Sequence, residues 1–310
     1  MAKPLELGVD LGRGLRLRSP VLVASGTFGY GFDEPQVDRA VLGAIVTKGT
    51  TLRPRDGNAP NRIAETASGM LNAIGLQNPG VDHVARVYAP LWASSDLPVI
   101  VNVAGDSVDE YVAVARRLEG VVGVAGLELN ISCPNVAKGL QFGVDPDLAA
   151  ELTSAVRAET RLPLIVKLTP NVTDIVKVAR AVEAAGADAV SAINTYVGMA
   201  IDIRRRRPVL SRDSGGLSGP AIKPLALHAV WQVAAAVRIP VIGIGGITTA
   251  IDALEFLLAG AAAVQLGTVN YVRPQAAREV HDGIAEYLEE RGFRDLRGLP
   301  IRSASVLTHA

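Results

Sequence analysis

The sequence predicts an α/β fold, a closed (β/α)8 barrel of the TIM type. Its 310 residues contain eight short apolar runs rich in β-branched residues. Longer segments with the apolar spacing of amphipathic helices separate these runs. Strand–helix alternation is typical of a parallel sheet covered by helices, and eight units in about 250 residues suit a closed barrel better than an open sheet.

The predicted strands and helices follow one another in regular order. The strands are VLVAS (21–25), AIVTK (44–48), VIVNV (99–103), GLELNIS (126–132), LIVKL (164–168), AVSAIN (189–194), VIGIGG (241–246) and AVQLGT (263–268). The clearest helical segments are 107–118, 147–159, 174–185, 224–237 and 250–259.

Three segments lie outside these units. Between reference positions 48 and 102, and between 194 and 245, the strand ends are separated by 54 and 51 residues, far more than one unit requires. We therefore expect insertions after strands 2 and 6, on the face where barrels bind ligands. The segment 5–20 alternates apolar and polar residues around two glycines, which predicts an N-terminal β-hairpin at the opposite mouth.

Composition excludes several classes of protein. The 31 basic residues balance the 31 acidic ones, so no net field attracts nucleic acid or a membrane surface. The single cysteine, Cys133, cannot form an internal disulfide or ligate a metal cluster alone. The sequence shows no signal-peptide pattern and no apolar stretch of bilayer length. We expect a soluble, cytoplasmic protein with a single domain over 1–310.

Polar residues at the strand ends are candidate site residues. In barrel enzymes the active site forms where the carboxyl ends of the strands meet. Helix capping could explain one or two polar strand ends, but two lysines at one mouth are costly without an anionic partner. We therefore predict an anion-binding site there. The candidates are Ser25, Lys48, Asn102, Asn130, Lys167 and Asn194.

Glycine follows the last two predicted strands, at Gly245-Gly246 and at Gly267-Thr268. These positions allow backbone N–H groups to approach an anion, and the loops after strands 7 and 8 are the usual phosphate site of this fold. Tight strand-to-helix turns would also need glycine. Phosphate binding is the favoured interpretation because both glycine pairs follow this particular pair of strands. The glycine-rich stretch 214–220 in the second insertion could close on the same ligand.

Cys133 is the candidate base or nucleophile. A lone cysteine is usually a small buried residue. Here Pro134 ends the preceding strand, which places the thiol on a loop at the mouth, where nearby cations would favour the thiolate. The run 204–207, four arginines, is interpreted as a solvated face or a subunit contact. No histidine stands at a strand end, and none is assigned a catalytic role.

At these positions the sequence resembles the class 1 dihydroorotate dehydrogenases, from about residue 20 to residue 268. The motifs are SGTFGYG (25–31), TKGTT (47–51), GMLNAIGLQNPG (69–80), ELNISCPN (128–135), VKLTPN (166–171), INTYVG (193–198), GGLSGPAIKP (215–224), GIGGI (243–247) and LGT (266–268). The membrane-associated class 2 enzymes use serine as the base and have an N-terminal extension. Cys133 and the absence of an extension indicate class 1.

Within class 1, FGVDP (142–146) and GGLSGPAIKP are similar to the NAD-linked (1B) catalytic subunit. The resemblance implies a homodimeric core and a separate electron-transfer subunit, together a heterotetramer. That partner would hold FAD and a [2Fe–2S] cluster, which agrees with a single cysteine in this chain.

The resemblance also implies one FMN per chain and its contacts. The FMN phosphate would bind the backbone at the two glycine turns, with Lys167 near the N1–C2=O edge of the flavin, where negative charge accumulates on reduction. The implied FMN residues are Ser25, Lys48, Gly49, Asn102, Asn130, Lys167, Ile193, Gly219, Gly245, Gly246, Gly267 and Thr268.

The implied substrate is dihydroorotate, and its product orotate belongs to pyrimidine synthesis. Asparagine suits this ring because its amide both donates and accepts hydrogen bonds. In the implied reaction Cys133 removes the C5 proton while hydride passes from C6 to N5 of FMN. The implied substrate residues are Lys48, Asn72, Ala73, Ile74, Gly75, Leu76, Asn130, Asn135, Asn194 and Thr195.

Three alternatives stay open. One is a Schiff-base aldolase that uses Lys167 at a strand end. Another is a related flavin barrel that reduces a different pyrimidine. The third is a catalytically silent barrel that serves as a binding or scaffold subunit. The aldolase leaves Cys133 and Lys48 without a role, and the silent barrel leaves the whole polar mouth without one.

Overall fold

A computed structural model describes residues 5–31, 37–132 and 142–299. Two predicted site residues, Cys133 and Asn135, lie outside these ranges. Within them the strands are β1 (Val9–Asp10), β2 (Arg16–Leu17), β3 (Val21–Val23), β4 (Ala44–Val46), β5 (Ile63–Thr66), β6 (Gly69–Asn72), β7 (Val99–Val103), β8 (Gly126–Asn130), β9 (Leu164–Leu168), β10 (Ala189–Ala192), β11 (Tyr196–Gly198), β12 (Ile201–Asp202), β13 (Arg207–Pro208), β14 (Gly215–Ser218), β15 (Val241–Ile244) and β16 (Ala263–Leu266).

The helices of the same ranges alternate with the barrel strands. They are α1 (Val81–His83), a π-helical turn (Val84–Tyr88), α2 (Ala89–Ala93), α3 (Val108–Leu118), α4 (Pro146–Glu159), α5 (Ile175–Ala184), α6 (Lys223–Ala236), α7 (Ala250–Leu258), α8 (Val269–Val272) and α9 (Ala276–Glu290). Short 3₁₀ turns occur at Arg39–Val41, Phe142–Val144, Pro220–Ile222 and Leu296–Gly298. The five helices predicted from periodicity are all present.

Eight strands close a parallel barrel in the order β3-β4-β7-β8-β9-β10-β15-β16, and β16 pairs back with β3. These are the eight strands that the sequence predicts, so the TIM-barrel prediction is confirmed. The register places Asn102 beside Glu128, and it places Lys167 between Asn130 and Ser191. Since parallel strands end on the same side, their polar ends meet at one mouth.

The barrel interior changes from apolar to polar along the strands. Its amino-terminal layer is formed by Leu22, Ala44, Ile100, Ile165, Ala189, Ile242 and Ala263, all buried. Side chains of a strand alternate between the two faces of the sheet, so residues two positions further along return to the interior. On four strands these residues are polar and buried: Asn102, Lys167, Ser191 and Gln265. A polar layer therefore lies above the apolar one.

The N-terminal hairpin closes the amino-terminal mouth, as predicted. Strands β1 and β2 pair antiparallel. Leu11, Leu15 and Leu17 of this hairpin pack against the apolar layer of the barrel interior. Burying these leucines there excludes water from the bottom of the barrel.

The two insertions pair with each other at the opposite mouth. Strands β5 and β6 come from the first insertion and β11 and β14 from the second, and together they form an antiparallel sheet in the order β11-β14-β6-β5. The predicted insertions are confirmed, but the sequence did not indicate this pairing. The glycine-rich stretch 214–220 contributes strand β14 and not a simple loop.

The other surface predictions can be placed briefly. The arginine run 204–207 is exposed and joins β12 to β13. His83 and His228 lie in α1 and α6, away from the strand ends. In the described part of the chain every helix is too short or too polar to span a bilayer.

Candidate active site

A cavity of about 750 Å³ opens at the carboxyl-terminal mouth of the barrel, between the strand ends and the sheet formed by the two insertions. It brings together nearly all the described residues that the sequence predicts for a site. The predicted residues on its wall are Ser25, Lys48, Gly49, Asn72, Ala73, Ile74, Gly75, Leu76, Asn130, Lys167, Ile193, Asn194, Thr195, Gly219, Gly245, Gly246, Gly267 and Thr268.

One side of the cavity is a cradle of backbone groups after β15 and β16. Gly245 and Gly246 have φ angles of 133° and 71°, which L side chains rarely adopt. A Cβ atom at Gly246 would lie 2.8 Å from the carbonyl oxygen of Gly219. The N–H groups of Gly246, Gly267 and Thr268 form no hydrogen bond with any other described residue. Free N–H groups on a surface without side chains fit a phosphate.

Helix α7 anchors this cradle. Thr249 and Asp252 form a capping box at its first turn, and the Asp252 carboxylate also accepts from the hydroxyl of Thr248 at 2.7 Å. Lys223 donates to Asp252 at 2.7 Å. Burial alone would raise the pKa of Asp252, but the hydrogen bonds from Lys223, Thr248 and Thr249 outweigh burial and hold the pKa well below its ordinary value. The carboxylate therefore fixes the chain directly after Gly246.

The cavity floor is the polar layer of the barrel. Lys167 is only 5% exposed, and its Nζ lies 3.8 Å from Oε1 of Glu128. Asn102 is fully buried beneath the cavity and donates to the same oxygen at 2.8 Å. The Oδ1 atom of Asn102 is buried and has no partner within the described residues. This amide oxygen is able to accept a hydrogen bond from a ligand N–H.

Lys48 stands at the end of β4, on the same wall as Gly49. Burial lowers the pKa of Lys48, and the positive charge of Arg62 lowers it further. No carboxylate of the described residues forms an ion pair with it. An anionic ligand would supply that missing partner.

Amide groups form the wall near the insertions. Asn194 donates to Oδ1 of Asn130 at 3.1 Å and accepts from the N–H of Thr195 at 2.8 Å. Asn72 donates to the carbonyl oxygen of Gly216 at 3.2 Å, which ties the first insertion to the second. These amides combine donors and acceptors around one space, as a ring with amide groups requires.

Several residues of the cavity wall could not be predicted from the sequence. Arg55, Asn58 and Arg212 lie on the rim, and they come from irregular parts of the insertions without any periodic signal. Glu128 was also missed, although an acidic residue in the middle of the buried run GLELN was a visible sign.

Fold and site together define a class of protein, an α/β-barrel enzyme with a backbone cradle that fits a phosphate, beside a pocket of lysines and amides. Such a mouth suits a phosphorylated cofactor with a polar planar ring and an anionic substrate. The sequence model of dihydroorotate dehydrogenase matches residues 11–288. The chain belongs to the dihydroorotate dehydrogenase family of oxidoreductases.

Individual relatives agree with this assignment. A protein of Desulforamulus reducens is 56% identical over 297 residues, which cover 95% of this chain and 97% of the relative. One of Trichlorobacter lovleyi is 57% identical over 295 residues, covering 94% and 97%. One of Geotalea uraniireducens is 55% identical over 301 residues, covering 96% and 98%. All three are named dihydroorotate dehydrogenase B (NAD(+)), catalytic subunit.

Proposed function

We propose that this chain oxidises dihydroorotate to orotate in pyrimidine biosynthesis, as the FMN-binding catalytic subunit of an NAD-linked enzyme. One observation supports this most strongly. A single cavity contains the backbone cradle, both lysines and the cluster of amides, which are the parts that this reaction needs. The names of the relatives support the substrate and the NAD linkage.

The cavity has the features that FMN requires. The cradle at Gly245, Gly246, Gly267 and Thr268 would hold its phosphate, with Gly219 beside it. Lys167 would then lie near the N1–C2=O edge of the flavin, where a cation stabilises negative charge. FMN would supply the acceptor for the hydride that leaves C6 of the substrate.

Dihydroorotate would bind between the first insertion and the amides. Its carboxylate needs a cation, and Lys48 is the described lysine of this wall that has no ion pair. Its ring presents N–H and C=O groups, which the paired amides of Asn130 and Asn194 could bind. We assign the segment 72–76, Asn135 and Thr195 to the same ring.

We propose Cys133 as the base for the C5 proton. Strand β8 ends at Asn130, which lies on the cavity wall, and Cys133 follows Asn130 by three positions in the sequence. As a thiolate it would take the proton from C5, and the electron pair left behind would form the C5–C6 double bond as hydride leaves C6. Atoms and electrons balance, because the substrate loses one proton and one hydride.

The electrons would then leave through a second protein. The relatives are named catalytic subunits of NAD-linked enzymes, which supports a partner that carries electrons to NAD. We propose that this partner holds FAD and a [2Fe–2S] cluster and joins a homodimer of this chain in a heterotetramer, located in the cytoplasm. The one cysteine of this chain could not ligate such a cluster by itself.

The aldolase alternative is disfavoured by the surroundings of Lys167. A Schiff base needs an amine that is free to attack a carbonyl carbon, whereas Nζ of Lys167 forms an ion pair with the buried carboxylate of Glu128 3.8 Å away. The alternative of a flavin barrel that reduces another pyrimidine would keep the FMN and change the substrate alone.

An absorbance spectrum tests the proposal directly. The purified chain should show a flavin band near roughly 450 nm, and anaerobic dihydroorotate should bleach it while orotate forms in equal amount. A flavin band that persists with dihydroorotate but bleaches with another dihydropyrimidine would contradict the assignment of dihydroorotate as the substrate. A colourless chain that does not bind added FMN would overturn the cofactor. Dihydrouracil, which lacks the carboxylate, is the matched control.

A further inference from the structure

Glu128 has no part in the proposed reaction, yet it occupies the centre of the barrel. It lies in the middle of β8, and its side chain is completely buried. A buried carboxylate is costly unless its charge is paired and its oxygens accept hydrogen bonds. The apolar layer directly beneath it shows that this barrel can fill its interior without charge.

Four side chains from four different strands converge on this carboxylate. Ser191 donates to Oε2 at 2.8 Å, and Gln265 donates to the same oxygen at 3.0 Å. Asn102 donates to Oε1 at 2.8 Å, and Nζ of Lys167 lies 3.8 Å from that oxygen. An ionised carboxylate, which only accepts, matches three donors and one cation.

The carboxylate determines which way the Asn102 amide faces. Because Nδ2 is turned towards Glu128, Oδ1 is turned away from it. This oxygen is buried without a partner among the described residues, and it lies 3.2 Å from the place of a Cβ atom on Gly49. Gly49 is part of the cavity wall. Glu128 thus turns the acceptor of Asn102 towards Gly49 at the cavity wall.

Glu128 also restrains Lys167. Within the described residues the ammonium group has this one ion pair and no shorter hydrogen bond, so its donors remain available to a ligand. The carboxylate holds the ammonium group 3.8 Å away and offsets part of its positive charge.

We propose that Glu128 is a positioning residue of the flavin site, whose carboxylate orients Asn102 and Lys167 towards the FMN ring and reduces the positive charge presented to it. This inference rests on the FMN site proposed above. Reduced FMN carries extra negative charge, so less positive charge near the flavin would weaken the binding of reduced FMN relative to oxidised FMN. Electrons then leave the flavin more readily.

The test measures the affinities of the apoprotein for oxidised and reduced FMN, together with the midpoint potential of bound FMN. Glu128→Gln keeps the shape and removes the charge. We expect the ratio of the affinity for reduced FMN to the affinity for oxidised FMN to be at least tenfold higher in the variant than in the wild type. For a two-electron couple, a tenfold change raises the midpoint potential by about 30 mV. A role in folding alone would weaken both affinities equally and leave their ratio unchanged.

Two further variants complete the experiment. Ser191→Ala removes one hydrogen bond from Glu128 but no charge. Its ratio of affinities for reduced and oxidised FMN should differ from that of the wild type by less than threefold. If Glu128→Gln does not fold, Glu128→Asp takes its place, because the shorter side chain moves the carboxylate away from Lys167. For this variant we expect the affinity ratio of reduced to oxidised FMN to rise threefold.

Each outcome has one meaning. An unchanged or more negative midpoint potential in the folded Gln or Asp variant overturns the role of Glu128, whereas FMN binding by the wild type still supports the proposed FMN site. A wild-type apoprotein that does not bind FMN overturns both proposals.

Discussion

The two lysines of the cavity differ in their electrostatic surroundings. Lys167 has a buried carboxylate 3.8 Å away, whereas Lys48 faces the cavity with a pKa lowered by burial and by Arg62. Both lysines stand at the ends of apolar runs, so the sequence predicts the same anion-binding role for each. The difference depends on Glu128, which reaches Lys167 through the pairing of β8 with β9.

The lowered pKa of Lys48 predicts how orotate binding depends on pH. In the proposed site the ammonium form of Lys48 would bind the carboxylate of orotate, so the affinity for orotate should be constant at low pH and fall about tenfold per pH unit above the pKa of Lys48. Because that pKa is lowered, the fall should begin at a lower pH than for an ordinary lysine. Calorimetric titration of orotate across alkaline pH measures it. Lys48→Met should bind orotate weakly, with an affinity that does not change over this pH range. If the variant keeps the pH dependence, a group other than Lys48 causes it.

Cys133 is tested by removing the thiol. Cys133→Ala should bind FMN and orotate normally but lose turnover by about 10²- to 10⁴-fold near neutral pH, the usual contribution of a positioned base. Stopped-flow reduction of FMN by dihydroorotate isolates this step from later electron transfer. The matched variant Cys133→Ser should recover activity as pH rises, since a hydroxyl loses its proton far less readily than a thiol. Near-normal reduction by the alanine variant would contradict the assignment.

At the scale of secondary structure, the sequence predicted single elements well. The eight barrel strands and five helices were visible because β-branched runs and helical apolar spacing are local properties. The pairing of β6 with β14 was not visible. These strands are more than 140 residues apart in the sequence. Each has only four residues, which is too short for an alternating pattern to indicate the partner strand.

The first turn of α7 should support both stability and the phosphate cradle. Asp252→Asn should lower the free energy of unfolding by about 2 kcal/mol at neutral pH, because it removes charged hydrogen bonds to Lys223 and Thr248. The pKa of Asp252 is lowered in the folded state, so its contribution is complete above the ordinary aspartate range and is lost as pH falls below it. Urea unfolding at neutral and at acidic pH measures both effects.

A second cap provides the matched control. Ser107 caps α3 and accepts from the N–H of Glu110 at 3.3 Å, and it is not on the cavity wall. Ser107→Ala should cost about 1 kcal/mol of stability and leave FMN affinity unchanged. Asp252→Asn should weaken FMN binding as well. Equal FMN affinity in both variants would contradict the anchoring of the cradle by α7.

At the scale of the whole molecule, closure of the barrel creates the site. β16 pairs with β3, and Gln265 on β16 thereby reaches Glu128 on β8, 137 residues earlier in the chain. The hairpin fills the amino-terminal mouth, so the cavity for ligands opens at the other end.

FMN should therefore stabilise the folded barrel as a whole. A ligand that binds the folded state alone adds about 2.7 kcal/mol when its free concentration is a hundred times Kd. Thermal unfolding of the apoprotein should shift upward with added FMN and continue to rise with concentration. Riboflavin, which lacks the phosphate, should give a much smaller shift because the cradle at Gly245 and Gly246 would stay empty. Equal shifts would contradict phosphate binding there.

The sequence by itself determined the strands, the helices and the polar residues that follow each strand, because these depend on neighbours along the chain. Its motifs also indicated the family to which the chain belongs. Only the tertiary structure decided which polar groups meet. Glu128 could be recognised once the barrel register placed Asn102 and Lys167 around it, and the rim residues once the insertions had paired. Contacts across a closed barrel join distant segments, and no local pattern encodes them.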